Sequence, residues 1–453
     1  MNQHEKEGWE KAGAEARTGA DAEVTSLQAN ALSRRSFLQG TLIAATAAAA
    51  GPLGHAQEQA TPPARPMPGS QRPNDFFEWQ FPSADKKKDW EKYSFNKDRW
   101  WGDFAHDLPE QADMFGDNPW ALGPFTKYPG NPVLAPTPGA WDQGRYGGGV
   151  HNGAIIIKDN KFYYVYRGER PIDIERPGGI DYICDIGVAV SGDGIHFTKD
   201  TTHSPFFRKG EDRKYSYEDV NIARWGDTYY MFCNQWLWGE QNDPRVNGTF
   251  LATSKDLLNW EKVGIVFPRA KRIHRNAVVL QNPQNEAVQV GGKFVMYIND
   301  QLIAYSTDMV HWESRDNPNR WPGGEGCFAL ADHDPKRPND IILFTGGPHT
   351  GHFYAVGEVL LSKADPERPL GWLPRSPLFA EPKYRYENGF TARPPHKPIS
   401  SFADCIFFNG LTRYRGRWWL YYGGSEYYTC LATSPAAPGA RGGRAGRARR
   451  RNG

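Results

Sequence analysis

KFYYVYRG, residues 161–168, is an aromatic and aliphatic run that closes on Arg167 and Gly168. The same pattern returns as DTYYMFCN at 227–234, KFVMYIND at 293–300, DIILFTGG at 340–347 and RWWLYYGG at 417–424. Short runs of β-branched and aromatic residues bounded by Gly, Asp and Asn read as strands. Each run is followed by a second short strand: IGVAVSGDGIHF ending at Phe197, TFLATSKDLLNW at Trp260, LIAYSTDMVHW at Trp312, a degenerate GEVLLSKADPERPLGW at Trp372, and TCLATS at Ser434. Their serines, Ser191, Ser254, Ser306, Ser362 and Ser434, lie about 50 to 70 residues apart, a spacing that suits propeller blades of four strands each. The expected fold is therefore all-β, a five-bladed β-propeller spanning 129–434. The Ser-x-Asp and Trp of each unit are read as a turn and a packing aromatic, a structural role. A two-sheet sandwich is the rival, but it gives no reason for a fivefold repeat of one strand pair.

The flanks differ in composition. Ser33-Arg34-Arg35-Ser36-Phe37-Leu38 is a twin-arginine pattern, followed by an Ala-rich run from Gly40 to Ala50 and the small-residue site Gly54-His55-Ala56. Residues 1–56 are read as a signal peptide, with the mature chain periplasmic or secreted, since the apolar run is short for a bilayer span. Residues 57–74, rich in Pro, Gln and Ala, are expected to be a disordered linker. Residues 75–128 hold many Trp and Phe without clear periodicity and are read as an irregular N-terminal extension. The stretch 435–453 is an Arg, Gly and Ala tail, expected to be disordered. It begins where the last blade should continue, so the ring is expected to lack its usual closing strand.

The formal charge of +2 rests largely on that tail and gives no reason to expect nucleic acid or, after signal cleavage, a membrane as partner. The five cysteines are odd in number and have no CxxC spacing, which points to buried thiols rather than a disulfide framework or a metal site. No cofactor is implied. Length, with 39% apolar and 13% aromatic residues, allows a large core.

In a propeller the starts of the innermost strands converge on a central funnel. Counting back from the aromatic runs, those positions hold His151-Asn152, Glu218-Asp219, His274-Arg275-Asn276, Glu325 and Asp404. Carboxylates from several blades at one funnel are what glycosidic cleavage needs, one acid to protonate the leaving oxygen and one carboxylate to activate water. Glu218, next to Asp219 on a strand, is expected to face the opposite side and to hold the blade or an Arg.

These residues sit in longer motifs. KYPGNPVLAP at Lys127, HNGAIIIKDNKFYYVYRGE at His151, YEDVNIARWGDTYYMF at Tyr217, GEVLLSKADPERPLGWLPRSPLFAEPKYRYENG at Gly357 and WWLYYGGSE at Trp418 resemble family 130 of the glycoside hydrolases. That resemblance implies a five-bladed propeller acting on β-mannosides, either as an inverting phosphorylase or as a hydrolase. It places Asp219 on the family's general acid, which delivers its proton through a sugar hydroxyl. It also places Arg167, Asn152 and Glu426 on sugar-contacting positions. The departures concern phosphate: Arg275-Asn276 stands where phosphorylases carry Lys-Asp, Ile298-Asn299 where they carry His-Arg, and Phe344-Thr345-Gly346 where they carry Tyr-His-Gly. Only Arg275 and His274 are left as cations for a phosphate dianion. The expected activity is thus hydrolysis of an oligosaccharide or polysaccharide, with Glu325 as first choice of base and Asp404 as second. Glu218, His274, Arg275 and Asn299 complete the expected substrate contacts. The alternatives are a phosphate-dependent phosphorylase and a non-catalytic carbohydrate-binding propeller.

Overall fold

The computed structural model describes residues 116, 118–142, 149–171, 182–207, 214–237, 242–319, 321, 324–349, 353–373, 387 and 405–434. The twin-arginine segment, the 57–74 linker, most of the 75–128 extension, Asp404 and the 435–453 tail lie outside them. Among the described residues the architecture is all-β and propeller-like. A short strand β1 (Thr126–Lys127) precedes a first antiparallel unit of β2 (Val150–Lys158), β3 (Lys161–Pro171), β4 (Tyr182–Ser191) and β5 (Thr198–Lys199). The second unit is β6 (Tyr215–Trp225), β7 (Thr228–Leu237), β8 (Gly248–Ser254) and β9 (Glu261–Ile265). The third is β10 (Val278–Gln281), β12 (Lys293–Ile298), β13 (Leu302–Ser306) and β14 (Glu313–Asp316), with β11 (Gln289–Val290) alongside β12. The fourth is β15 (Glu325–Ala331), β16 (Asp340–His349), β17 (Phe353–Ser362) and β18 (Pro369–Trp372). A parallel pairing of β10 with β15 joins the third and fourth units edge to edge.

The last unit corrects an expectation. β19 (Ile406–Tyr414), β20 (Arg417–Gly424) and β21 (Tyr428–Thr433) take their fourth strand from β1, which pairs Thr126 with Thr433 and Lys127 with Ala432. The closing strand is thus supplied from ahead of the repeats, within the stretch read as an extension. A buried ion pair fixes it there: Lys127 Nζ donates to Glu387 Oε2 at 2.8 Å, and Tyr422 Oη donates to Glu387 Oε1 at 2.7 Å.

The aromatic runs form the second strand of each unit, and their lack of polar alternation has a packing cause. On β7, Met231 and Cys233 pack toward the first unit while Phe232 packs toward the third. On β12, Phe294 and Met296 meet the second unit while Val295 and Tyr297 meet the fourth. On β20, Leu420 and Tyr422 meet the fourth unit, whereas Tyr421 joins Tyr164 and Phe162 of the first. With period-2 side chains and a neighbouring sheet on each face, both sets must be apolar.

The Ser-x-Asp segments are turns. Ser254 Oγ accepts the Asp256 and Leu257 amides at 3.1 and 2.9 Å, and Asp256 Oδ1 accepts those of Leu258 and Asn259 at 2.8 and 2.7 Å. The same bonds form at Ser191/Asp193 and Ser306/Asp308. Partial burial opposes ionisation of these aspartates, but the His196 and His311 rings at Asp193 and Asp308, together with the backbone amides at all three, outweigh it and hold them below the usual Asp range.

Glu358 is a fully buried acid in the core. Glu358 on β17 accepts the Leu122 backbone N–H on Oε2 at 2.8 Å, tying the segment ahead of β1 to the fourth unit, and its Oε1 has no hydrogen-bond partner. Burial pushes its carboxyl well above the usual range against the lowering effect of that N–H. A raised folded pKa means the stabilising proton is held fully below the unfolded pKa and its benefit is lost as pH rises. The slope is about 1.4 kcal/mol per pH unit until the folded pKa is reached. Glu358→Gln should therefore be nearly neutral at about pH 5 and gain on wild type by about pH 8 in urea midpoints. A constant difference across that range would show that Glu358 does not bind its proton on folding.

Candidate functional site

The innermost strands carry β-bulges where they open. β2 shifts register between His151 and Ala154, and β6 between Glu218 and Asn221. The residues at these two bulges are left-handed, Asn152 at φ 48° and Asp219 at φ 53°, and so is Asn276, ahead of β10, at φ 51°. Asn and Asp tolerate this conformation better than other non-glycine residues, which explains their presence at the mouths of three innermost strands. Asn299 braces the third of these bends, its Oδ1 accepting the Arg275 amide and its own amide donating to the Arg275 carbonyl, both at 3.0 Å.

A bulge re-aims side chains, and here it joins three units through a line of amides and a carboxylate. Asn152 Nδ2 donates to Asp219 Oδ1 at 2.7 Å, and Asn234 Nδ2 donates to Asp219 Oδ2 at 3.2 Å. Asn234 also donates to Asn276 Oδ1 and accepts the Asn276 backbone amide at 2.8 Å. All four side chains are buried.

Beside this line lies Arg167, at the end of the first aromatic run and only 3% exposed. Its Nη1 is 3.6 Å from Asp219 Oδ1, and its Nη2 is 2.7 Å from Glu169 Oε1 and 3.8 Å from Glu218 Oε1. Its Nε donates to Cys184 Sγ at 3.1 Å. Glu426, buried at φ 54° in the turn after β20, also acts electrostatically on Arg167 and on Glu218. Four carboxyl groups thus share one guanidinium. Burial alone would lower the Arg167 pKa, but Cys184, Glu218, Glu169 and Glu426 outweigh it and keep the group a cation.

The alternation expected of Glu218 and Asp219 does not survive the bulge. Both flank Arg167, and Glu218 accepts from the Cys184 thiol at 3.5 Å. Burial pushes the Glu218 carboxyl up, Arg167 pulls it down, and Asp219, Glu169 and Glu426 raise it further, leaving it above the usual Glu range. Burial also raises the Cys184 thiol well above its ordinary value, so it remains a donor.

Glu325, at the start of β15, is engaged by a different cation, with Arg275 Nη2 at 3.9 Å from its Oε1. His274 takes another direction. Its Nε2 lies 2.8 Å from Ser314 Oγ on the outermost strand of its unit, and its ring packs on Phe267 at 4.7 Å. It lines a groove with Phe267, Leu302 and Trp312 rather than joining the Asp219 line. Asp404 falls outside the described residues. Among those residues no group of three or more His, Cys, Asp or Glu is arranged to hold a metal ion.

The structure adds Glu169, Cys184 and Asn234, which the sequence reading did not select, and makes His151 a buried neighbour of Glu169. His151 is fully enclosed, with Nε2 3.7 Å from Glu169 Oε1. Two signals pointed to them. Glu169 lies two residues from Arg167 and shares its strand face, and Asn234 stands opposite Glu218 in the ladder.

No family model matches the chain. Among curated proteins it is 28% identical over 250 residues to a 1,2-β-oligomannan phosphorylase of Thermoanaerobacter sp. (strain X514), covering 52% of this chain and 76% of that protein. It is similar to a solved structure from work on the GH130 family of mannoside phosphorylases, described as containing glycoside hydrolases that target β-1,2 mannosidic linkages in Candida mannan. That match is 23% identical with a TM-score of 0.54, over 74% of this chain and 97% of the other. A β-1,2-mannobiose phosphorylase from Listeria innocua matches at 17% identity and a TM-score of 0.51, over 69% of this chain and 97% of the other. A glycosyl hydrolase from Bacteroides ovatus matches at 22% identity and a TM-score of 0.56, over 71% and 96%. With the motifs around Asp219, Arg167 and Glu426 on the same propeller-like frame, the chain is similar to proteins of family 130 of the glycoside hydrolases.

Proposed function

We propose that the chain is an exported, inverting glycoside hydrolase acting on β-mannosides or related oligosaccharides, and that its five four-stranded units are the blades of one propeller. Asp219 is the general acid and Glu325, held by Arg275, the base that activates water, with Asp404 as the second candidate for that role. Asn152, Arg167, Glu218 and Glu426 surround the sugar. The twin-arginine pattern at Arg34-Arg35 supports export.

The observation that carries the hydrolytic reading is charge. Arg167 is already engaged by Glu169, Glu218, Asp219 and Glu426, and Arg275 by Glu325. A phosphate dianion entering this cluster meets carboxylates at short range without a spare guanidinium among the described residues, whereas water carries no such cost. Phosphorolysis is the second reading, because the curated relative and the Listeria structure are phosphorylases by name.

The two readings separate in one experiment. The mature chain is incubated with β-linked manno-oligosaccharides, with and without inorganic phosphate. Hydrolysis gives free sugar at a rate that phosphate neither raises nor diverts. Sugar 1-phosphate that forms only when phosphate is present would overturn the hydrolase reading, and binding without any product would favour a carbohydrate-binding propeller.

A further inference from the structure

The bulge at 218–221 does more than present Asp219: it sets two adjacent carboxyls around one guanidinium, in unlike surroundings. Asp219 is 6% exposed, and its two oxygens accept one amide N–H each, from Asn152 at 2.7 Å and Asn234 at 3.2 Å, beside Arg167 Nη1 at 3.6 Å. Hydrogen bonds of this kind go to the charged form of a carboxyl and favour it. Such a seat suits an anion, yet a general acid must hold a proton. Glu218 accepts no amide N–H of that sort from the described residues. Its Oε1 faces the weak thiol donor of Cys184 at 3.5 Å and Arg167 Nη2 at 3.8 Å, which is closer to Glu169 at 2.7 Å. Its side chain keeps 16% of its surface open, a route to solvent that Glu169, at 1%, does not have.

We propose that the proton used in cleavage rests on Glu218 in the free enzyme and reaches the leaving oxygen by way of Asp219, the two adjacent carboxyls sharing one proton around Arg167. This rests on the glycosidase reading above and deepens it. The groups facing Glu218 come from several strands: Arg167 and Glu169 on β3, Cys184 on β4, Asp219 beside it on β6, Asn234 opposite it on β7, and Glu426 in the turn after β20. His151 of β2 sits behind Glu169. Of these, only Arg167 favours the Glu218 anion strongly; the three carboxyls disfavour it, in keeping with the raised proton affinity of the group.

The step balances. The proton passes from Glu218 to Asp219 and on to the glycosidic oxygen, directly or across a sugar hydroxyl, as the C–O bond breaks and its electron pair stays on that oxygen. Water forms the new C–O bond and gives its proton to the opposing base. The base then releases that proton to solvent, and Glu218 takes one back.

Leaving-group chemistry tests the assignment, because a phenolate of low basicity departs without a proton while a sugar alkoxide does not. Wild type, Glu218→Gln and Asp219→Asn full chains are assayed on a manno-oligosaccharide and on a dinitrophenyl β-mannoside. Glu218→Gln should lose roughly 100-fold or more on the oligosaccharide, move the alkaline limb of its pH profile, and lose at least about tenfold less on the aryl substrate, where the remaining loss reads its contact with the sugar. Equal losses on both substrates, or no loss on either, would overturn the proposal and leave the glycosidase reading intact. Infrared difference spectra give a readout that needs no turnover. A protonated-carboxyl band present in wild type at neutral pH should vanish in Glu218→Gln, with the buried acid Glu358 common to both spectra and cancelling. If wild type cleaves neither substrate, the glycosidase reading falls, and a spectrum unchanged by Glu218→Gln then places the proton elsewhere.

Discussion

Asp219→Asn is expected to lower turnover on manno-oligosaccharides by roughly two to four orders of magnitude, the range set by loss of a general acid, while the chain stays folded. The size follows from what the substitution removes. Asn keeps the shape and cannot carry the proton to the leaving oxygen, whichever carboxyl stored it. Folding is preserved for a specific reason. Asp219 accepts amide N–H bonds from Asn152 and Asn234, so a new side-chain NH₂ faces a donor. Asn152 Oδ1 has no partner in the native arrangement, and a flip of that amide turns the donor into an acceptor. The variant is therefore expected to melt within a few degrees of wild type, with the loss confined to kcat and partly restored on an aryl substrate. Turnover close to wild type on the oligosaccharide would remove Asp219 from the chemistry and leave Glu218, Glu325 and Asp404 to be tried in its place.

How far the site was legible follows from which forces wrote it into the sequence. The aromatic runs were readable because each second strand is covered on both faces, and the Ser-x-Asp turns because their hydrogen bonds are local. Arg167, Asn152, Asp219 and Glu426 were found as single positions, and the structure brings them together. The orientation of Glu218 was not legible. Strict period-2 alternation sends it away from Asp219, and only the register shift between Glu218 and Asn221 returns it to Arg167. The left-handed Asn152, Asp219 and Asn276, each at the mouth of its strand, were the available sign of those bulges. His274 went astray for a related reason. Its position in the chain is near Asn276, but its ring bonds Ser314 on the outer strand. The closing strand β1 was missed because two residues, Thr126 and Lys127, carry no periodicity.

Arg167→Met is the harsher change, and here the expected loss is in stability. Removing one partner from a buried charged set leaves the others uncompensated, which costs about 3–5 kcal/mol. Met fills much of the aliphatic path of Arg but leaves Glu169, Glu218, Asp219 and Glu426 to face one another. The deficit should depend on pH in a definite direction. Burial already raises the Glu218 carboxyl, and Arg167 is the chief group pulling it back down. Without Arg167 the folded state holds protons on this cluster more tightly than the unfolded chain does. That stabilisation is fully present below the unfolded carboxyl range and is lost as pH rises through the folded values. Urea midpoints should therefore show a small gap between variant and wild type at about pH 4.5 and a wide one at about pH 7.5. A gap of equal size at both would mean that Arg167 matters through packing alone. Arg167→Lys separates charge from shape, since it restores the cation without the planar fork that reaches Glu169, Glu218 and Asp219 at once. The expected outcome is recovery of most of the stability and little of the turnover, because one ammonium cannot hold two adjacent carboxyls in the unlike states that proton transfer requires.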